Sequence, residues 1–311
     1  MLQLNMAMLV SYPNLNVAKT KPPLITDPVV LHQFDWTGWA KPIQGVSQTA
    51  SAIHTNKQNP KMWMQTENQM YHRNLKLSKS PYQSGNLQAF KICLADRSNG
   101  VILDVGANIG LMAHQFALWG ATVLAFEPVP KIAEMCAHNL VLNDVSDKVT
   151  LHQVAVLDFV GPVVFHDTPN QSYINARVIN SHIPARPKKN GIRMRFTVDG
   201  ITIDSLNLGL VDGIKIDVEG HEFEVVLGAV DTIKRCRPVV MAEMLKGHFK
   251  GFHPDEMYDF FLNQDYVVFD KGHQAHGRNP QPCGTKWCYV LNRADKIFVP
   301  KEQIHKFSLF N

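Results

Sequence analysis

From about residue 100 onward the sequence predicts an open α/β fold with a mostly parallel sheet, on three observations. Short apolar runs alternate with stretches of helical period, several runs stop at an acid or a glycine turn, and the helical stretches are long enough to cross back over a sheet. Each crossover returns the chain to the starting edge, so the parallel strands end together on one edge, where such folds bind ligands.

The elements follow in order. Residues 101–105 form an apolar run ending in a glycine turn, and 111–119 recur at helical spacing. A strand over 122–126 is stopped by Glu127 and Pro128, and Pro130 suits the first turn of a helix over 130–142. Residues 151–157 read as a third strand and 162–166 as a small extra one, followed by a polar insertion over 167–196. Then come a strand over 213–217 ending in an acid, a helix over 222–236, a strand over 239–243 also ending in an acid, a helix over 254–263, and strands over 266–269 and 287–291.

Residues 1–95 differ in texture. Asn, Gln, Lys, Ser and Pro dominate, and the apolar residues are isolated anchors such as Phe34, Trp36, Trp39, Met62, Trp63 and Met64. The segment reads as an irregular cap, favoured over a partly disordered leader by its three tryptophans, with room for a short helix around 60–77, and a second unit spans 96–311.

The whole 311-residue chain has 31 Lys and Arg against 27 Asp and Glu, a formal charge of +4 that allows an acidic ligand without demanding nucleic acid. Its densest basic group, Arg186, Lys188, Lys189, Arg193 and Arg195, is broken by prolines and a glycine and reads first as a solvated loop and second as a surface that meets an anionic partner. Of the five cysteines, Cys136 and Cys236 fall in apolar-periodic segments, while Cys283 and Cys288 have no second pair to complete a zinc site. A reducing compartment follows. The first residues, MLQLNMAMLVSYP, carry no positive leader and no run long enough to span a membrane, so a cytoplasmic location is expected.

The sharpest local signal is ILDVGANIG at 102–110. A strand delivers Asp104, the chain turns through Gly106, and Gly110 opens a helix; glycines allow a tight turn and close approach of a ligand. A dinucleotide fingerprint would carry a glycine where Asn108 stands. Asp104 would repel a pyrophosphate but can meet a cationic or hydrogen-bond-donating ligand. Glu127, 23 residues further on, can accept both hydroxyls of a ribose, which supports an adenosine cofactor without choosing its kind.

At this point the sequence resembles the FkbM-type methyltransferase family. The resemblance rests on ILDVGANIG, FEPVP at 126–130, Asn139 and Asn143 in HNLVLN, TIDSL at 202–206, IKIDVEGHEFEVVLGA at 214–229 and RPVVMAE at 237–243, covering roughly 100–245. It implies a Rossmann-like class I methyltransferase domain with a seven-stranded sheet whose last strand is antiparallel. It implies S-adenosyl-L-methionine as cofactor, and O-methylation of a sugar, glycan or other small polar natural product. Position by position, Asp104, Gly106, Ala107, Asn108 and Gly110 resemble the cofactor loop. Glu127 with Pro128 resembles the ribose-binding turn, and Val154 and Ala155 the edge that meets the adenine. Asp217, Glu219, Glu222 and Glu243 fall where the family carries acids beside cofactor or substrate.

Methyl transfer from a sulfonium asks the protein mainly to hold the nucleophile in line, with a base to take the hydroxyl proton. The candidates are Asp217, Glu219, His221, Glu222, Glu243 and His248, with Asp217 first because it ends a strand at the ligand edge. A divalent ion on Asp217, Glu243 and His248 is a second use of these groups; acids that hydrogen-bond without metal are the simpler one. Asn170, Ser172, Tyr173, Asn175 and Arg177 in the insertion would suit a sugar or polyol. Partners are thus a small-molecule or glycan acceptor and open to homo-oligomerisation, without nucleic acid or a membrane span. The rival readings are a nicotinamide oxidoreductase, an RNA methyltransferase, and a catalytically silent interaction module.

Overall fold

The computed structural model describes residues 51–53, 62–64, 90–92, 94, 99–167, 177–178, 194–244, 252–269 and 295–308. Two short strands, β1 (Ser51–Ile53) and β2 (Met62–Met64), pair antiparallel, so part of the expected 60–77 helix is strand; its remaining residues lie outside the described ones.

The main sheet has seven strands. They are β3 (Val101–Val105), β4 (Thr122–Phe126), β5 (Val149–His152), β10 (Gly213–Ile216), β11 (Val239–Glu243), β12 (Tyr266–Phe269) and β13 (Asp295–Pro300), in the order β12-β13-β11-β10-β3-β4-β5. Strand β13 runs antiparallel to both neighbours, and the other described pairings are parallel. This is the class I arrangement that the resemblance implies. The antiparallel strand is 295–300, and the expected strand at 287–291 lies outside the described residues.

Helices α1 (Leu111–Leu118), α2 (Pro130–Leu142), α3 (Glu222–Leu227), α4 (Val230–Cys236) and α5 (Pro254–Leu262) connect the strands, and α6 (Ile304–Ser308) follows β13. They split the core in two. One side gathers Ile102, Phe116, Val123, Leu140 and Met241, the other Leu103, Val105, Ile214, Val226 and Phe298. Phe90, Ile92 and Leu94 are buried in the first, and the Phe90 ring lies 4.8 Å from that of Phe116, so the packed core reaches back beyond residue 95.

A second sheet, ordered β6-β9-β7-β8, is built from β6 (Ala155–Val156), β7 (Gly161–Asp167), β8 (Arg177–Val178) and β9 (Met194–Ile201). The strand expected over 151–157 is therefore two strands in different sheets, because the chain turns out of the main sheet at 153–154. The polar insertion likewise ends in β9, whose Phe196, Val198 and Gly200 face inward between exposed Thr197 and Asp199. The helix expected over 222–236 is broken at Gly228 and Ala229. There a Cβ on Gly228 would stand 2.0 Å from the Leu157 carbonyl oxygen, and the Asp204 carboxylate accepts the Asp231 and Thr232 amides (3.0 and 2.8 Å) to start α4.

Candidate cofactor and acceptor site

The register brings the candidate residues to one edge. The last paired row of the main sheet is Phe126, Val105, Ile216 and Ala242 on β4, β3, β10 and β11. One residue further, in the same strand order, stand Glu127, Gly106, Asp217 and Glu243, and Asp295 of β13 pairs with Glu243. Four residues chosen from sequence thus lie side by side where parallel strands end.

Gly106 makes this row possible. Its φ is 77°, and an added Cβ would sit 1.9 Å from the Asp217 carbonyl oxygen, so β3 and β10 can leave the sheet together only if this residue has no side chain. The following turn is closed by its own amides. Gly106 and Ala107 donate to the Phe126 carbonyl (3.0 and 2.9 Å), Asn108 to Glu127 Oε2 (3.0 Å), Ile109 to Asn108 Oδ1 (2.8 Å) and Gly110 to the Ala107 carbonyl (2.9 Å). Asn108 itself holds φ 52°, a left-handed position that asparagine tolerates. Asn139 of α2 donates to the Ile109 carbonyl (2.8 Å) and is in turn followed by Asn143 donating to the Asn139 carbonyl (2.7 Å), which gives both asparagines of HNLVLN a structural task.

Glu127 is buried, and its two oxygens accept Asn108 and Val129 amides at 3.0 and 2.9 Å. An ionised carboxylate has about four acceptor positions, so two remain after the amides have fixed its orientation. Burial outweighs the amides and pushes its carboxyl up to about 7. Pro128 is half-buried beside it. The Glu127 amide donates to the His152 carbonyl (3.0 Å), which ties the turn to the segment entering buried Val154 and Ala155.

Asp104 departs from its expected place. It is 0% exposed, beneath the turn, with Oδ1 3.1 Å from Lys215 Nζ. Register explains the pair: Lys215 and Asp104 are direct partners on adjacent strands and point to the same face. Direct contact with a cationic ligand is not what this geometry offers; Asp104 meets a cation of the protein. Sequence reasoning overlooked Lys215, although a lysine inside the apolar run of β10 needs a buried partner.

The DVEGHE segment builds a second tight turn. Glu219 and Gly220 take φ of 59° and 103°, and Glu222 Oε1 accepts the Val218 and Gly220 amides (3.2 and 3.0 Å). Glu222 is 1% exposed and its carboxyl is pushed up to about 7 by burial, so it closes the turn rather than reaching outward. His221 is equally buried, with Nδ1 3.0 Å from Glu224 Oε1, and is not presented to an acceptor. Asp217 and Glu219 remain half-exposed at the edge. Glu243 is half-buried, and burial followed by the charges of Asp217, Asp295, Glu219 and Glu222 raises its carboxyl to about 8. Asp295 was not foreseen. His248 lies outside the described residues, and among the described residues no three His, Cys, Asp or Glu side chains are grouped to hold a metal.

With this geometry in view, comparison with known proteins decides the family. The model of the methyltransferase FkbM domain matches residues 104–268, just over half of the 311-residue chain. The chain belongs to the FkbM methyltransferase family. Two curated relatives are similar over part of their length. The 2-O-methyltransferase NoeI of Sinorhizobium fredii (strain NBRC 101917 / NGR234) is 30% identical over 162 residues, 47% of this chain and 64% of that protein. The methyltransferase sdnD of Sordaria araneosa is 28% identical over 163 residues, 42% and 61% of the two chains. The chain thus spans somewhat under two thirds of the length of each. Among solved structures it is similar to the FkbM methyltransferase of Methylobacillus flagellatus KT, at 16% identity and a TM-score of 0.40, covering 65% of this chain and 43% of that one. The family match extends past the resemblance read from sequence, through α5 and most of β12. Among the described residues no helix is long and apolar enough to cross a membrane.

Proposed function

We propose that the protein is an S-adenosylmethionine-dependent O-methyltransferase whose acceptor is a hydroxyl of a sugar, glycan or other small polar molecule. The observation that carries the cofactor reading is the turn at 106–110. Every amide in it is engaged within the protein, and a carboxylate stands at the end of the next strand. A pyrophosphate draws on free amides at a helix amino terminus, whereas an adenosyl sulfonium carries no phosphate and needs a ribose acceptor. Glu127 has that spare acceptor capacity, and Val154 and Ala155 lie along the adjoining edge.

The bound cofactor would supply an activated methyl group, so the residues need only hold the acceptor in line and receive its proton. Asp217 and Glu243, adjacent at the strand ends, are the candidates for the proton. Glu243 is the first candidate, because burial and the surrounding acids raise its carboxyl to about 8. Glu219 is assigned to the acceptor rim. Oxygen as the accepting atom is supported by the similarity to a protein named as a 2-O-methyltransferase.

Calorimetric titration of the full chain with S-adenosylmethionine, S-adenosylhomocysteine and NAD tests the reading, with Glu127→Ala alongside. Binding of the two adenosyl ligands but not NAD is expected, weakened in the variant on the order of tenfold to a hundredfold by the lost charged hydrogen bonds. Binding of NAD alone, or full affinity in the variant, would sink it.

A further inference from the structure

The buried Lys215 has no part in the function just described, yet it touches the turn on which that function depends. Its Nζ donates to the Gly106 carbonyl at 2.6 Å, lies 3.5 Å from the Val105 carbonyl, and is 3.1 Å from Asp104 Oδ1. All of this happens at a residue 3% exposed, in the middle of a strand. From these contacts we infer that Lys215 is the positioning residue of the glycine turn, fixing the Gly106 peptide so that the turn is held ready for the cofactor.

A carbonyl bonded to a buried ammonium cannot rotate without leaving a charge unpaired, so the Gly106–Ala107 peptide has one orientation. That orientation directs the Ala107 amide of the same peptide to the Phe126 carbonyl, which also accepts the preceding Gly106 amide, bridging β3 to β4. Gly106, with φ of 77° and no Cβ, is a permissive point of the turn that a clamp would fix. The Lys215 ammonium stays protonated: burial alone would lower its pKa, but the carboxylates of Asp104, Asp217 and Glu127 raise it, and the net direction is upward. One cation therefore joins the carboxylate beneath the turn to the strand-end acids on either side of it.

The inference rests on the turn being the cofactor loop, and the test separates the two. Lys215→Met leaves Asp104 buried without its partner and is expected to lower the melting temperature strongly. The double variant Asp104→Leu/Lys215→Met removes the whole pair, a change that often leaves a buried site neutral in stability. In full-length protein, melting, hydrogen exchange of peptides spanning 105–110, and affinity for S-adenosylhomocysteine are measured on both and on the unmodified chain. The expected result is that the double variant regains its melting temperature. Exchange at 106–110 should nevertheless stay fast relative to β4, and affinity fall about tenfold or more. Native protection and affinity in the double variant would reduce Lys215 to a counter-ion for Asp104 and overturn the inference. Loss of cooperative melting in the double variant would do the same, by making Lys215 a residue of the fold. If the unmodified chain binds no adenosyl ligand while exchange at 106–110 still responds, the proposed function falls and the clamp stands.

Discussion

The two halves of the strand-end row treat charge in opposite ways. On the β3–β4 side, Asp104 faces a lysine, and Glu127 has both oxygens on backbone amides. On the β10–β11 side, Glu243 stands in the field of Asp217, Asp295, Glu219 and Glu222, and every one of those charges pushes its proton affinity up. Compensated charge gives a fixed geometry, as a binding platform requires. On the other side burial, with these like charges added to it, raises the Glu243 carboxyl to about 8, near the pH at which a proton is exchanged. In the proposed function, the first half of the edge holds the cofactor and the second carries the chemistry.

The most severe way to break this division is to push the halves apart. Gly106→Ala places a Cβ where the Asp217 carbonyl stands, at 1.9 Å, and forces a φ of 77° on an alanine. Neither backbone yields readily, because each directly continues a central strand, β3 or β10. A cost on the order of 3 kcal/mol or more is expected, seen as a large fall in melting temperature and loss of S-adenosylhomocysteine binding. Native melting and affinity in this variant would mean that the two turns are not in contact.

Glu243→Gln sharpens the comparison from the chemical side. With the carboxyl raised to about 8, the base is mostly protonated at pH 7 and becomes competent as pH rises through 8. Methyl-transfer rate at saturating substrate should climb over that interval. In the variant it should drop about a hundredfold or more and lose the rising limb, while S-adenosylhomocysteine affinity stays near that of the unmodified chain. A rising limb that persists would transfer the proton to Asp217.

What was legible in the sequence follows the same division. The strands at 101–105, 122–126, 239–243 and 266–269 and the helix over 130–142 were readable because each is a short apolar run or a proline-opened helical stretch with a stop beside it. Glu127, Asp217 and Glu243 were readable because acids end those strands. The register that lines them up was not, since it is set by pairing between strands far apart in sequence. Lys215 went unread because attention went to the acid that ends its strand, when burial of that apolar run makes a lysine inside it the most informative position. Strand β9 begins inside the polar 167–196 stretch, whose weak periodicity conceals its in-and-out alternation, and the end of β5 was overrun because Val154 to Leu157 stay apolar while changing sheets.

The smallest expected effect on cofactor binding comes from Glu222, which belongs to the acidic half yet acts as a brace. Its carboxyl is near 7 when folded against 4.5 when unfolded, so the folded state keeps a proton that the unfolded chain gives up between those values. Stability therefore falls as pH rises from about 4.5 to 7, and the loss is complete above that, amounting to roughly 3 kcal/mol. Glu222→Gln removes this loss while its carbonyl can still accept the Val218 and Gly220 amides, and it puts an NH2 group in the field of Asp217. Melting at pH 8 should rise by several degrees in the variant, with little change at pH 4, and cofactor affinity should hold. A variant less stable at pH 8 than the unmodified chain would show that the ionised carboxylate is what closes the DVEGHE turn, and would move Glu222 to the compensated half of the edge.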